Sequence, residues 1–229
     1  MNTNNVYGYP QVIANPAETN RVLRNTYALL ALSMIPTILG AWIGVATGLS
    51  HMMTPMMSLI VFMVGAYGLM FAVERTKNSA AGVPVLLGFT FFMGLMLSRL
   101  IGFVLHLTNG VELVMLAFAG TATVFFAMAG LSSVVKRDLS GMGKFLMIGA
   151  LLVLVAGIAN VFLQSSALMI TVSLLMAGIF SAFILHDLKA VRDGYETNYI
   201  SATMGVYLSL YNVFQSLLSL LGIFGGRDE

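Results

Sequence analysis

Long apolar runs separated by very short polar gaps repeat along this chain from about Asn25 to about Phe224. Most are long enough to cross a bilayer, whose hydrocarbon core takes about 20 apolar residues in helical form. With 9% of its 229 residues charged and 59% hydrophobic, the chain has too few charges to clothe a water-soluble globule. Lipid is therefore the solvent for most of its surface. In lipid every backbone N–H and C=O must be paired internally, which leaves helices or closed barrels. Continuous apolar runs, rather than short alternating ones, select helices. The expected fold class is an all-α polytopic membrane protein.

Seven transmembrane helices are expected. They cover about Asn25 to Thr47, Met56 to Val73, Val83 to Leu105, Val111 to Val135, Phe145 to Leu163, Ala167 to Leu185 and Thr203 to Phe224. No second domain fits beside them. The first run is too long for a signal-peptide core and lacks a small-residue cleavage site, so it reads as a retained span. The polar segment Met1–Asn20, with its asparagines and Pro10 and Pro16, reads as a flexible tail.

Basic residues set the orientation. Arg21, Arg24, Arg75, Lys77, Lys136, Arg137, Lys144, Lys189 and Arg192 all fall in loops or span ends of one side. The opposite loops, around His51, Asn109 and Gln164, contain no Lys or Arg. The positive-inside rule then places the N-terminus in the cytoplasm, and seven spans place the C-terminus on the other side. The scattered charges and a net charge of +2 give no nucleic-acid surface. Absence of cysteine excludes disulfides and thiolate metal sites. His51, His106 and His186 are far apart in sequence, without metal-ligand spacing, and no triad or phosphate loop stands out. No cofactor and no enzymatic activity are expected.

The seventh span carries a polar stripe. Gly205, Ser209, Asn212, Ser216 and Ser219 recur at spacings of three and four, which puts them on one helix face. Val206, Leu210, Val213, Leu217 and Leu221 lie on the other faces. Hydroxyls and an amide turn away from acyl chains when other helices are available. The stripe therefore faces protein, as a packing edge, or water, as the wall of a polar cavity. Gly40, Gly44 and Gly48 in the first span, and Gly120, Thr123, Ala127 and Gly130 in the fourth, form further small-residue rows of the close-packing kind. Pro36 removes a backbone donor within the first span, and Pro84 sits at the tolerant start of the third.

Few ionisable residues lie near the spans. Asp187, beside His186, closes the sixth at the basic side, and Arg75 or Lys77 at the same depth are candidate partners. Asp187, His186 and Arg75 form a candidate pH latch, with a plain helix-end charge beside Lys189 as the alternative. Arg99 either snorkels to the headgroups or pairs with Glu112.

Several motifs resemble the Bax inhibitor-1 family, and within it the bacterial YccA branch. They are Arg24-Asn-Thr-Tyr27, Gly65-Ala-Tyr-Gly-Leu-Met-Phe71, Gly120-Thr-Ala-Thr-Val-Phe-Phe126, Lys136-Arg-Asp-Leu-Ser140 and Asn160 in its Ala-Asn-Val-Phe-Leu-Gln context. The most specific stretch runs from Glu196-Thr-Asn-Tyr-Ile200 through Leu208-Ser-Leu-Tyr-Asn-Val-Phe214 to Ser216-Leu-Leu-Ser219. The resemblance spans the chain from about Arg21 and implies six helices wrapped around a central C-terminal one. It implies a bacterial inner-membrane protein that binds the membrane-bound ATP-dependent protease FtsH, as substrate and as brake, with the N-terminal tail as handle. It also implies an alternative, a pH-sensitive leak for calcium or another cation, built on two aspartates. Asp187 matches the first of these, and the second falls on Ser209. A hydroxyl offers no second negative ligand to calcium, so the dyad is incomplete.

Overall fold

A computed structural model describes residues 16–139 and 141–225, without the side chains of Ser50 and His51. Eight helices follow in order: α1 (Pro16–Ala46), α2 (Leu49–Met52), α3 (Pro55–Thr76), α4 (Gly82–Leu105), α5 (Gly110–Val134), α6 (Met142–Leu163), α7 (Ser166–Arg192) and α8 (Tyr199–Gly225). Among the described residues there is no strand, and seven helices, all but α2, are long and apolar enough to cross a membrane. The span count read from the apolar runs is thus met. Most of the expected tail lies outside the described residues, and its last five residues, Pro16–Asn20, open α1. The C-terminal residues beyond Gly225 also lie outside them.

Local chemistry explains the helix ends. Thr54 caps α3 by accepting from the Met57 N–H at 3.2 Å, with Pro55 in the first turn. Ser165 caps α7 through the Leu168 N–H. Gly48 does not continue the small-residue row of α1. It sits at φ 65°, where the chain leaves α1 and enters the short α2, a conformation glycine adopts without steric cost. α1 runs through Pro36 unbroken, and Pro84 lies in the first turn of α4.

Two helix contacts organise the bundle. α1 and α4 cross with backbones almost touching. A Cβ on Gly40 would run into the Phe91 carbonyl, one on Gly44 into Ser98, and one on Gly94 into the Thr37 carbonyl. The row Gly40–Gly44 is therefore a packing device, as its spacing suggests. The second is α8, which packs against α1, α4, α5 and α7 and meets α3. It is buried nearly all round: Val206, Tyr207, Val213 and Leu218 are as inaccessible as the serines of the stripe. The hydrophobic faces assigned to the other sides of α8 thus meet protein as well. α6 has its main neighbour in α7, one layer away from α8.

The fourth-span row behaves differently from α1. Gly120 comes within 3.1 Å of Leu217 at its virtual Cβ, but Thr123, Ala127 and Gly130 are exposed, and a Cβ on Gly130 would meet nothing within 4 Å. Close packing within the chain is not their role. The reason is rotational: α5 turns Leu113, Ala117 and Thr121 inward, which directs the later part of the row outward.

Candidate functional site at the basic end of the bundle

The candidate latch residues come from two helices and only partly meet. His186 Nδ1 lies 3.1 Å from Asp187 Oδ1, and both side chains are about three-quarters buried or more, with exposures of 21% and 24%. Glycine on each flanking helix makes room for the pair. A Cβ on Gly143 of α6 would stand 2.8 Å from His186 Nε2, and one on Gly205 of α8 would stand 3.0 Å from Asp187 Oδ2. The Asp187 carboxylate thus abuts the backbone of α8 at the first residue of the polar stripe.

Arg75 is not its partner. The Arg75 guanidinium stacks over the Phe71 ring of its own helix, 5.0 Å from the centroid. Lys77 is engaged by Glu74 at 2.6 Å. That bond holds the Lys77 ammonium above its usual range. Among the described residues the ion pairs are Lys77–Glu74, His186–Asp187 and Lys189–Asp193. The expected pairing of Asp187 with Arg75 or Lys77 is corrected on this point. α3 meets α8 but is not a principal neighbour of α7, so equal depth did not mean proximity. Arg99 likewise does not pair with Glu112, and its Nη1 donates to the Ser58 hydroxyl of α3 at 2.8 Å.

The stripe on α8 is buried as its composition demands. Ser209, Ser216 and Ser219 are 3%, 1% and 6% exposed, and Asn212 and Gly205 are half-buried. Much of its hydrogen bonding is local. Asn212 Nδ2 donates to the Leu208 carbonyl at 2.8 Å, and Ser216 Oγ to the Asn212 carbonyl at 2.6 Å. One bond crosses helices, from Ser173 Oγ of α7 to Ser219 Oγ at 3.3 Å. Such a lining glues helices with partners already in hand.

Sequence reasoning missed a second polar knot. Tyr207 Oη of α8 and Thr37 Oγ1 of α1 are 2.9 Å apart, and both reach the Thr90 carbonyl of α4, at 3.3 and 3.2 Å. A tyrosine within a span, even with Tyr211 a turn further on, gives little warning of such a contact, because its partners lie on other spans. It also missed the clasp at the basic end. Asn198 donates to Asn78 at 2.8 Å and accepts from the Ile200 N–H at 2.9 Å, while Ser201 Oγ donates to Glu74 at 2.9 Å. The bonds to Asn78 and Glu74 tie the start of α8 to the end of α3 and the turn that follows it. Among the described residues no group of three His, Cys, Asp or Glu side chains stands together as metal ligands.

A bundle of seven membrane-length helices, with a buried, polar-striped C-terminal helix and one basic end, defines a polytopic α-helical membrane protein. The chain belongs to the Bax inhibitor-1 family: the family described as "Inhibitor of apoptosis-promoting Bax1" matches residues 19–226. It is similar to the "Modulator of FtsH protease YccA" of Escherichia coli strain K12, at 40% identity over 210 residues, 92% of this chain and 93% of that protein. A protein of Escherichia coli O6:H1 called "Inner membrane protein YccA" matches equally. An uncharacterized protein of Pseudomonas aeruginosa is 36% identical over 97% of this chain and 98% of its own length.

Proposed function

We propose that the chain is a multi-pass protein of the bacterial inner membrane that binds the FtsH protease and modulates it. The observation that carries this reading is the 40% identity, across nearly the full length of both proteins, to a relative named for that role. The proposed mode is inhibition by a slow substrate. The protease grips the N-terminal segment and must then draw out a bundle whose α1–α4 crossing has no slack and whose α8 is enclosed by neighbours. Extraction exposes interhelical contacts one helix at a time, so the protease stays occupied. The basic end, with the start of α1, faces the cytoplasm in this reading, where the excess of Lys and Arg belongs. No catalytic role is assigned to any side chain. Removal of Asn2–Asn15, which leaves α1 whole, tests the reading. The expected result is a several-fold longer half-life in cells with the protease and no change in cells without it, together with loss of co-purified protease. An unchanged half-life in both strains would count against the handle.

One observation favours a second reading, a pH-sensitive cation leak. The His186–Asp187 pair is partly buried against the α8 backbone, where a change of charge would be felt by the stripe. Calcium flux into liposomes across pH, compared between wild type and Asp187→Asn, tests it. Flux that is absent, or indifferent to the substitution, rejects the leak.

A further inference from the structure

At the basic end, the start of α1, the end of α5 and the end of α7 line an open cleft of about 600 Å³. That volume falls in the range that holds small ligands. Its charged lining is Lys136, Lys189, Arg192 and Asp193, with Asn20 and Ser133 among its polar neighbours. Lys189, 7% exposed, gives its ammonium to both Asp193 oxygens, at 2.6 and 2.7 Å. The sole carboxylate of the lining is thereby matched. Lys136 and Arg192 belong to none of the ion pairs among the described residues. Arg192 adds a second sign: its Nε–H is buried and meets no acceptor among the described residues. A buried donor left unmatched costs stability, and one on a guanidinium more than most. Nε itself has no accessible surface, so an anion in the cleft reaches it only when the Arg192 side chain turns, and the rest of the guanidinium suits phosphate in particular. The position narrows the source. The cleft lies at the ends of three membrane-length helices, where a bilayer that they cross presents its headgroups, and basic pockets between transmembrane helices take anionic headgroups.

We propose that this cleft binds the phosphate headgroup of an anionic phospholipid, with Arg192 and Lys136 as its cationic contacts. The site is independent of the protease reading and uses neither Asp187 nor the stripe. The test uses the full-length protein in nanodiscs of phosphatidylcholine alone, of phosphatidylcholine with phosphatidylglycerol, and of phosphatidylcholine with inorganic phosphate added. Lipid retained on release into the mass spectrometer and the thermal unfolding midpoint are the readouts. Phosphatidylglycerol is expected to be retained in preference to phosphatidylcholine and to raise the midpoint. R192Q and K136Q are each expected to weaken retention about tenfold, the scale of a charged hydrogen bond. R137Q, which removes a neighbouring exposed cation outside the lining, is expected to leave it unchanged. K136Q is at an exposed position and carries the test if R192Q does not fold. Equal retention by all three variants, or no preference for the anionic lipid, would overturn the site. Full protection by inorganic phosphate, lost in R192Q and K136Q, would overturn the lipid as its occupant.

Discussion

α8 and α6 are opposites. α8 is the least apolar of the seven spans and has 50% of its most apolar stretch buried, while α6 is the most apolar and has 6% buried. In a water-soluble protein the order would be reversed, since there apolar surface is what burial removes from solvent. In lipid the solvent is already apolar, so burial brings little hydrophobic gain and the interior is selected for close approach and hydrogen bonding. α8 accordingly buries serines, tyrosines and Gly222, whereas α6 shows Leu151, Leu152, Val155 and Phe162 to the outside. Hydropathy finds the spans, and departures from it find the inside.

The sharpest way to break that contrast is at the α1–α4 crossing. Gly94→Leu would drive a side chain into the Thr37 carbonyl, which is backbone and cannot swing aside. Overpacking of this kind costs about 3 kcal/mol, and the helices must part to relieve it. The expected outcome is loss of most folded protein, read as the fraction surviving detergent extraction and size-exclusion chromatography. A well-folded Gly94→Leu protein would mean that the crossing is looser than its backbone contacts indicate. A smaller effect is expected from Tyr207→Phe, which keeps the ring and removes the hydroxyl shared with Thr37 and Thr90. Interhelical hydrogen bonds in membranes are worth about 0.6 kcal/mol on average, so a loss near that size is expected in a reversible unfolding assay. Thr37→Val should cost a similar amount, and the double variant less than the sum of the two, because the partners are shared.

How much of this was legible beforehand follows the same line. Seven spans were readable because lipid demands an uninterrupted apolar run, and each run became a helix. Their ends were not, since helices continue past the hydrocarbon into polar sequence: α1 starts at Pro16, α7 continues to Arg192 and α8 opens at Tyr199. That Ser209, Ser216 and Ser219 share one face was readable from spacing, because helical periodicity is a property of one segment; that Val206, Val213 and Leu218 on other faces are buried as well was not. The partner of Asp187 was not. Arg75 has the right depth, yet which side chain stands across from a carboxylate depends on which helices are neighbours, and that is settled by contacts such as Gly205 against Asp187. The close packing expected of Thr123, Ala127 and Gly130 fails for the same reason. A small-residue row announces that a close approach is feasible, while only the packing says whether a neighbour is there.

The least disruptive change should be on α6, and its smallness is informative. Leu152 is 66% exposed, so Leu152→Ala exchanges contacts with acyl chains for slightly fewer such contacts. In water an exposed leucine is a neutral position, and in lipid it remains one, since the same tails fill the space left behind. A change within about 0.5 kcal/mol is expected. Leu86→Ala is the matched comparison: Leu86 is 0% exposed in α4, where no lipid can refill the void. There the cavity left behind costs about 2 kcal/mol or more even without a hydrophobic term, because lining atoms lose their dispersion partners. Equal costs at the two sites, measured by the same unfolding assay, would show that Leu152 meets protein, for instance a second copy of this chain, and that α6 is less of an outer helix than its exposure indicates.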